Sequence, residues 1–241
     1  MGSLGQGSPG GARCSGPGEA RDAEEAETMM TQDRSYAWVS EAEAQDYSAT
    51  LTGNPFLFRE TKMLLGLLRD GMTVDQAAQH IVEVNLFQYR SAKSLPKRVN
   101  ALISRFAGVP SAVRTFIVEA PQNEARVVLV LVLSVRDRLF REFLQELVLP
   151  AATSHDPVIT RAAAERFFEA KAMISPKVAG WSTEARTKLR TVFVAANVEA
   201  GLLVPKGREH VVRLPVLSPE TRDLVRSNFP PSYQFLLGGM S

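Results

Sequence analysis

Two runs of cationic side chains are the residues of this sequence best placed to do chemistry, and that chemistry is phosphate neutralisation rather than bond making. Between Glu83 and Glu119 no acidic residue occurs, while Arg90, Lys93, Lys97, Arg98, Arg105 and Arg114 supply six positive charges. A second group, Arg186, Lys188 and Arg190, is followed by Lys206 and Arg208. Cations at this density chiefly contact phosphate oxygens, which gives affinity and salt dependence rather than sequence reading. Phe87 and Tyr89 are interleaved with the first run. They can stack on a base, but packing against their own domain is the commoner fate of such side chains.

Groupings that would carry catalysis are poor. Ser154-His155-Asp156 has the residue types of a nucleophile, a base and an orienting acid, yet three consecutive residues do not generally adopt a triad assembled across a fold. Asp156 with Glu169 and Lys171 has the composition of a metal-dependent nuclease site. Glu169 and Lys171, however, lie two apart in a predicted helix, about 200° around its axis, so they diverge. No Walker-type phosphate loop, Gly-x-Gly-x-x-Gly after a strand, nucleophile elbow or His-Glu-x-x-His helix occurs. The single Cys14 cannot form an internal disulfide, and with His80, His155 and His210 it makes no metal-binding cluster. The sequence therefore predicts no catalytic residue, no metal and no cofactor.

The elements that hold the second cation group follow from capping and turn signals. Thr160 can cap a helix through about Ile174, residues 176–180 offer a short turn or helix, and Ser182 can cap a long helix. In that helix Ala185, Leu189, Val192, Phe193 and Ala196 face inward, and Gly201 stops it. Residues 202–204 and 210–214 read as two strands joined by the turn Pro205-Lys206-Gly207-Arg208. Three helices followed by a hairpin is the order of a winged helix-turn-helix, whose third helix can enter the major groove while the hairpin tip reaches the backbone. Arg186, Lys188 and Arg190 fall in the first two turns of that third helix, off its apolar stripe, and Lys206 and Arg208 in the hairpin turn.

The first cation group sits on an all-helical part. Asn54-Pro55 is a helix-start signal matched by a stop at Gly71, with Phe56, Glu60, Leu64, Leu67 and Leu68 on one face. Thr73 and Gln76 form a capping-box pattern opening a helix that runs to about Val84. After a linker from Asn85 to Ser94, Pro96 opens a helix whose buried stripe is Val99, Leu102, Ile103 and Phe106. Lys97, Arg98, Asn100, Ser104 and Arg105 share its opposite surface. Residues 111–119 form another short helix closed by Pro121. The run from Val127 to Leu133 is rich in β-branched residues and can be a strand, but helical spacing continues through Val135, Leu139, Phe140, Phe143 and Leu147 without Gly or Pro until Pro150. One long helix is the expectation.

A chain of 241 residues that is 45% hydrophobic and 22% charged is long enough for one large domain or two small ones. Its longest unbroken apolar run, Val127 to Leu133, is far short of the roughly 20 residues that span a bilayer. No secretory signal is visible either, so the expected compartment is the cytoplasm and no membrane partner is expected. The net charge of +2 is unevenly spread: residues 1–50 hold three Lys and Arg against nine Asp and Glu, and the remainder 25 against 17. A basic folded part suits a polyanionic partner, although excess charge also serves solubility. Residues 1–18 contain seven glycines and almost nothing apolar, and an acidic run spans Glu19 to Glu27. Disorder is expected there, and Met29-Met30 offers an alternative start of translation. The division expected is a tail over 1–35, a helical domain over 36–150 and a winged-helix-like part over 151–241, mainly α overall.

Several pieces, in order, resemble one family. Tyr47-Ser-Ala-Thr-Leu-Thr-Gly-Asn54 leading into Glu60, the segment from Asn85 to Arg98, Asp137-Arg138-Leu139-Phe140 with Glu142-Phe143, Trp181-Ser182, and Ala200-Gly201-Leu202-Leu203 are similar to the BrxA family of bacteriophage exclusion (BREX) defence operons. The resemblance covers about residues 45–217 and leaves the tail out. It implies a helical, non-enzymatic accessory protein that binds double-stranded DNA, made beside a methyltransferase, an ATPase and a phosphatase-like protein. The family's likeness to the antitermination protein NusB implies an RNA-binding alternative. A protein-interaction adaptor of the same assembly is a further alternative. No DNA-contact motif comes with the resemblance. The expected DNA contacts, Arg90, Lys93, Lys97, Arg98, Arg105, Arg186, Lys188, Arg190, Lys206 and Arg208, rest on charge placement alone.

Overall fold

The structure, a computed structural model, describes residues 36–39 and 45–237. The Gly-rich and acidic tail and the alternative start at Met29 or Met30 lie outside the described residues. The chain is mainly helical, with a small three-stranded antiparallel sheet near its C-terminus. No helix among the described residues is long and apolar enough to cross a membrane.

Helix α1 spans Phe58–Arg69, three residues later than the Asn54-Pro55 signal suggests. The reason lies in the backbone. Leu57 is left-handed, with φ 53°, and the carbonyls of Asn54, Pro55 and Phe56, which a helix starting at Asn54 would use, are instead bound by Arg105. Helix α2, Val74–Glu83, opens with the expected capping box: Gln76 N–H donates to Thr73 Oγ1, and Thr73 N–H donates to Gln76 Oε1. Helix α3, Leu95–Phe106, has Pro96 in its first turn. These three helices share a cluster of their own, comprising Leu64, Ala77, Ile81, Phe87, Leu95, Val99 and Leu102. Phe87 is therefore a core residue.

Helix α4, Ser111–Glu119, precedes α5, Gln122–Arg136. The β-branched run in α5 is helical, and every residue from Val127 to Val135 is buried. The single long helix expected to continue to Leu149 is instead broken at Asp137, which is extended at φ −137°, ψ 109°. Its carboxylate accepts the Phe140 N–H at 2.9 Å and so caps a new helix, α6, Arg138–Phe143. A π-helical turn, Leu144–Val148, and the short α7, Leu149–Ala152, complete the stretch.

Strand β1, Val158–Ile159, is too short for a sequence signal. Thr160 caps α8, Arg161–Ile174, as expected; α9 is Pro176–Ala179, and Ser182 caps α10, Thr183–Glu199. Gly201, at φ 79°, ends α10. Strands β2, Leu203–Lys206, and β3, Glu209–Val212, form the hairpin, with Leu203 opposite Val212 and Lys206 opposite Glu209. The sheet order is β1-β3-β2. Helix α11, Pro219–Asn228, has no counterpart among the sequence expectations, and Trp38 packs edge-on against Phe229 just beyond it, at 5.2 Å.

A large hydrophobic cluster runs from Trp38 to Leu236 and takes in α5, α6, α8 and α10. Phe193 of α10 lies 5.1 Å from Phe140 and 5.5 Å from Phe143, both in edge-on contact. These aromatic pairs anchor the helix that carries Arg186, Lys188 and Arg190.

Candidate nucleic-acid interface

The segment before α3 is held in shape by its own backbone and side chains. Asn85 is left-handed, at φ 48°. Its amide donates to the Tyr89 carbonyl at 2.9 Å and accepts the Tyr89 N–H at 3.0 Å. Tyr89 packs edge-on against buried Phe87, with centroids 5.9 Å apart, and donates its hydroxyl to Glu60. Burial first, and then that carboxylate, push the phenol up to about 12. The aromatic pair is thus a support rather than a stacking platform. Arg98 lies over the Tyr89 ring at 5.3 Å, a cation–π contact that leaves its charge in place. Around this support Arg90, Lys93 and Lys97 are exposed, and none makes an ion pair among the described residues.

Arg105 does not belong with them. The expectation that it shares the exposed side of α3 is overturned: it is 7% exposed. Its guanidinium donates to the carbonyls of Phe56 at 2.9 Å and of Asn54 and Pro55 at 2.8 Å. The chain entering α1 leaves three carbonyls that need donors, and Arg105 supplies them from the next layer.

On α10 the three expected cations have different surroundings. Lys188 is exposed, with no ion pair among the described residues. Arg186 is half-buried and lines a shallow cleft of about 190 Å³ with Glu165, Glu169, Thr183, Thr187 and Arg190. Arg190, whose side chain is 13% exposed, is ion-paired to Glu165. Glu165 also accepts from Arg161 Nε at 2.8 Å. Those two bonds, Arg161's first, hold the Glu165 carboxyl below its usual range. Arg190 and Arg161 thus share one carboxylate, and Arg190 is the one drawn inwards by it. In the hairpin, Lys206 and Arg208 are exposed on either side of Gly207, whose φ of 63° closes the turn. Arg213, exposed just after β3, adds a cation that sequence reasoning missed because it lies outside both basic runs.

The sequence groupings weighed for catalysis are placed otherwise. Ser154 Oγ donates to the carbonyls of Ala151 and Asp156, a turn contact. Lys171 is 5% exposed and sits between Glu142 and Glu146, each 2.6 Å from Nζ. Glu169 is exposed and lines the α10 cleft, so the pair diverges. Among the described residues no group of three or more His, Cys, Asp or Glu is placed to hold a metal ion.

A polar hub was not legible in the sequence. Glu142 accepts the Tyr47 hydroxyl at 2.8 Å and Arg138 Nε at 2.7 Å in addition to Lys171. Arg138 also lies 4.4 Å over the Tyr47 ring. Asp137, besides capping α6, accepts the Ser48 hydroxyl at 3.1 Å. Tyr47, Asp137, Arg138 and Glu142 therefore tie the segment before α1 to α6 and α8.

A family model described as BrxA matches residues 45–228. A BREX protein BrxA from Bacillus cereus (strain H3081.97) is 24% identical over 195 residues, which span 81% of this chain and 98% of that protein. In fold, the chain is similar to the crystal structure of an uncharacterized protein from Magnetospirillum magneticum, with a TM-score of 0.66 and 19% identity over 80% of this chain and 97% of that one.

Proposed function

Because this chain belongs to the BrxA family, we propose that it is a non-enzymatic, cytoplasmic accessory protein of BREX phage defence that binds double-stranded DNA through phosphate contacts. The observation that carries the proposal is that six cations of the two basic groups are exposed and without ion pairs among the described residues: Arg90, Lys93, Lys97, Lys188, Lys206 and Arg208; Arg59, Arg166 and Arg213 are exposed in the same way but lie outside those groups. A charge left unpaired in water gains little from its own fold and can release condensed counterions when it meets a phosphate. Arg98 and Arg186 complete the proposed set. Arg190 acts as an internal strut, and Arg105 has no part in binding.

In this reading residues 151–241 dock in the winged-helix manner, with the first turns of α10 towards the major groove and the hairpin turn on the backbone. The part over 36–150 adds the Arg90 to Arg98 group. The methyltransferase, ATPase and phosphatase-like protein of such systems are its proposed assembly partners.

One observation favours a second reading. Met173 and Ile174, at the end of α8, are 88% and 68% exposed, as a protein-docking adaptor would have them. A labelled random duplex challenged with an unlabelled RNA hairpin at physiological salt separates the readings. Duplex binding at micromolar affinity or tighter, with RNA a poor competitor, is expected. Displacement by RNA at equal concentration would point to the NusB-like alternative. Negligible duplex binding with a stably co-purifying protein would point to the adaptor.

A further inference from the structure

Helix α2 is apolar over more of its surface than its own core covers. Ala77 and Ile81 point into the cluster shared with α1 and α3, where both are fully buried. At about 100° per residue, Val74, Ala78 and Val82 form the adjacent row, centred about 80° further round the helix. Val74 and Val82 are 43% and 38% exposed, and Ala78 between them is half-buried. A small residue between two larger ones makes a notch. The row spans about 12 Å, and such a notch can seat a leucine-sized side chain from a facing helix.

Beside this row runs another, Asp75, Gln79 and Glu83, all exposed. Neither carboxylate is in an ion pair among the described residues, and Gln79 donates to Glu83 at 2.7 Å. An acidic edge next to an open apolar notch restricts what can occupy it. Phosphate is repelled, so this face takes no part in the proposed duplex contacts. A second copy packed antiparallel through the same helix would set one acidic row beside the other, and like charges so placed oppose association. A helix that carries an apolar row flanked by Lys or Arg meets both rows at once.

We propose that α2 is a docking face for a basic amphipathic helix of a partner protein. The apolar row of that helix seats on Val74, Ala78 and Val82, and its cations lie against Asp75 and Glu83.

The test is a fluorescence-anisotropy titration of the full chain, at physiological salt, against a labelled leucine–lysine peptide in helical spacing. About 15 residues suffice for a helix, and a version with glutamine in place of lysine is the control. Saturable binding of the lysine peptide is expected, with the glutamine peptide weaker by about tenfold. Val82→Lys puts a cation into the notch, whereas Glu83→Lys reverses the acidic edge and leaves the notch intact. Both positions are exposed, so both variants should keep the thermal midpoint of the wild-type chain. Val82→Lys should weaken binding of either peptide by about tenfold or more. Glu83→Lys should weaken the lysine peptide alone, and it decides the matter if Val82→Lys fails to fold. Absence of saturable binding, equal binding of the two peptides, or lysine-peptide binding unchanged in the variants would overturn the proposal. Sedimentation of the free chain tests the other occupant: a dimer that Val82→Lys dissociates would assign the face to a second copy and overturn it as well. Neither substitution touches a proposed duplex contact, so failure here leaves the duplex reading standing, and the reverse holds too.

Discussion

Replacing Lys93, Lys97, Arg186 and Lys188 together by alanine is expected to weaken binding to a random duplex by on the order of a thousandfold near 0.1 M salt. Each lost phosphate contact removes about 0.9 from the salt slope, so the slope should become shallower by about 3 to 4. None of the four is in an ion pair among the described residues, and none belongs to the buried core. The folded state should therefore survive, which a thermal melt checks. Arg190→Ala provides the contrast. Its guanidinium, with a side chain 13% exposed, is held against Glu165 inside the fold, so the slope should hardly change. A fluorescence-anisotropy titration at several salt concentrations reads both variants. An unaltered slope in the quadruple variant would place the duplex elsewhere on the protein.

Lys171→Met is expected to cost about 3 kcal/mol of stability, because it removes two charge-assisted hydrogen bonds of a buried ammonium, to Glu142 and Glu146. With Lys171 gone, Glu142, whose side chain is 15% exposed, keeps only Arg138 and the Tyr47 hydroxyl. For a chain of this size the melting midpoint should fall by about 6 to 12 °C. The pH dependence has a definite sign at each end. Burial alone would raise the Glu142 pKa, but hydrogen bonds from Lys171, Arg138 and Tyr47 outweigh it and the net shift is downward. Its contribution is complete above the ordinary carboxylate value, about 4.3, and is lost as pH falls through the lower folded value. Burial would likewise depress Lys171, yet Glu142 and Glu146 raise it on balance. That contribution is complete below about 10.4 and is lost as pH rises through the higher folded value. The variant should show a smaller alkaline loss than the wild-type chain, the remainder coming from Tyr89, whose phenol burial raises to about 12. Chemical denaturation across pH reads both; a cost under about 1 kcal/mol would mean that the pair is no better than a surface one.

What the sequence disclosed depends on whether the deciding contact is local. Thr73, Thr160 and Ser182 cap their helices through partners three residues away, so the starts of α2, α8 and α10 are legible in the chain itself. The hairpin is legible because its turn and both strands are contiguous. Asp137 looks like any polar residue in a helical run, since what makes it a break includes Ser48, 89 positions earlier. Arg105 looks like a surface cation beside Lys97 and Arg98. Its true partners, the carbonyls of residues 54–56, are about 50 positions away and become acceptors only once Leu57 turns left-handed. The burial of Lys171 leaves no sign in the sequence either, because its carboxylates, Glu142 and Glu146, lie 25 or more positions away. Among the candidate contacts, exposed cations on short local segments were legible, and those drawn inwards by distant carbonyls or carboxylates were not.

The most direct test of the central claim is the dependence of wild-type affinity for a random duplex on salt concentration. With Arg90, Lys93, Lys97, Arg98, Arg186, Lys188, Lys206 and Arg208 as the available contacts, six to eight of them engaged would give a slope of log affinity against log salt of about −5 to −7. A slope shallower than about −2, or no binding even at low salt, would contradict phosphate-driven duplex binding as the role of these cations.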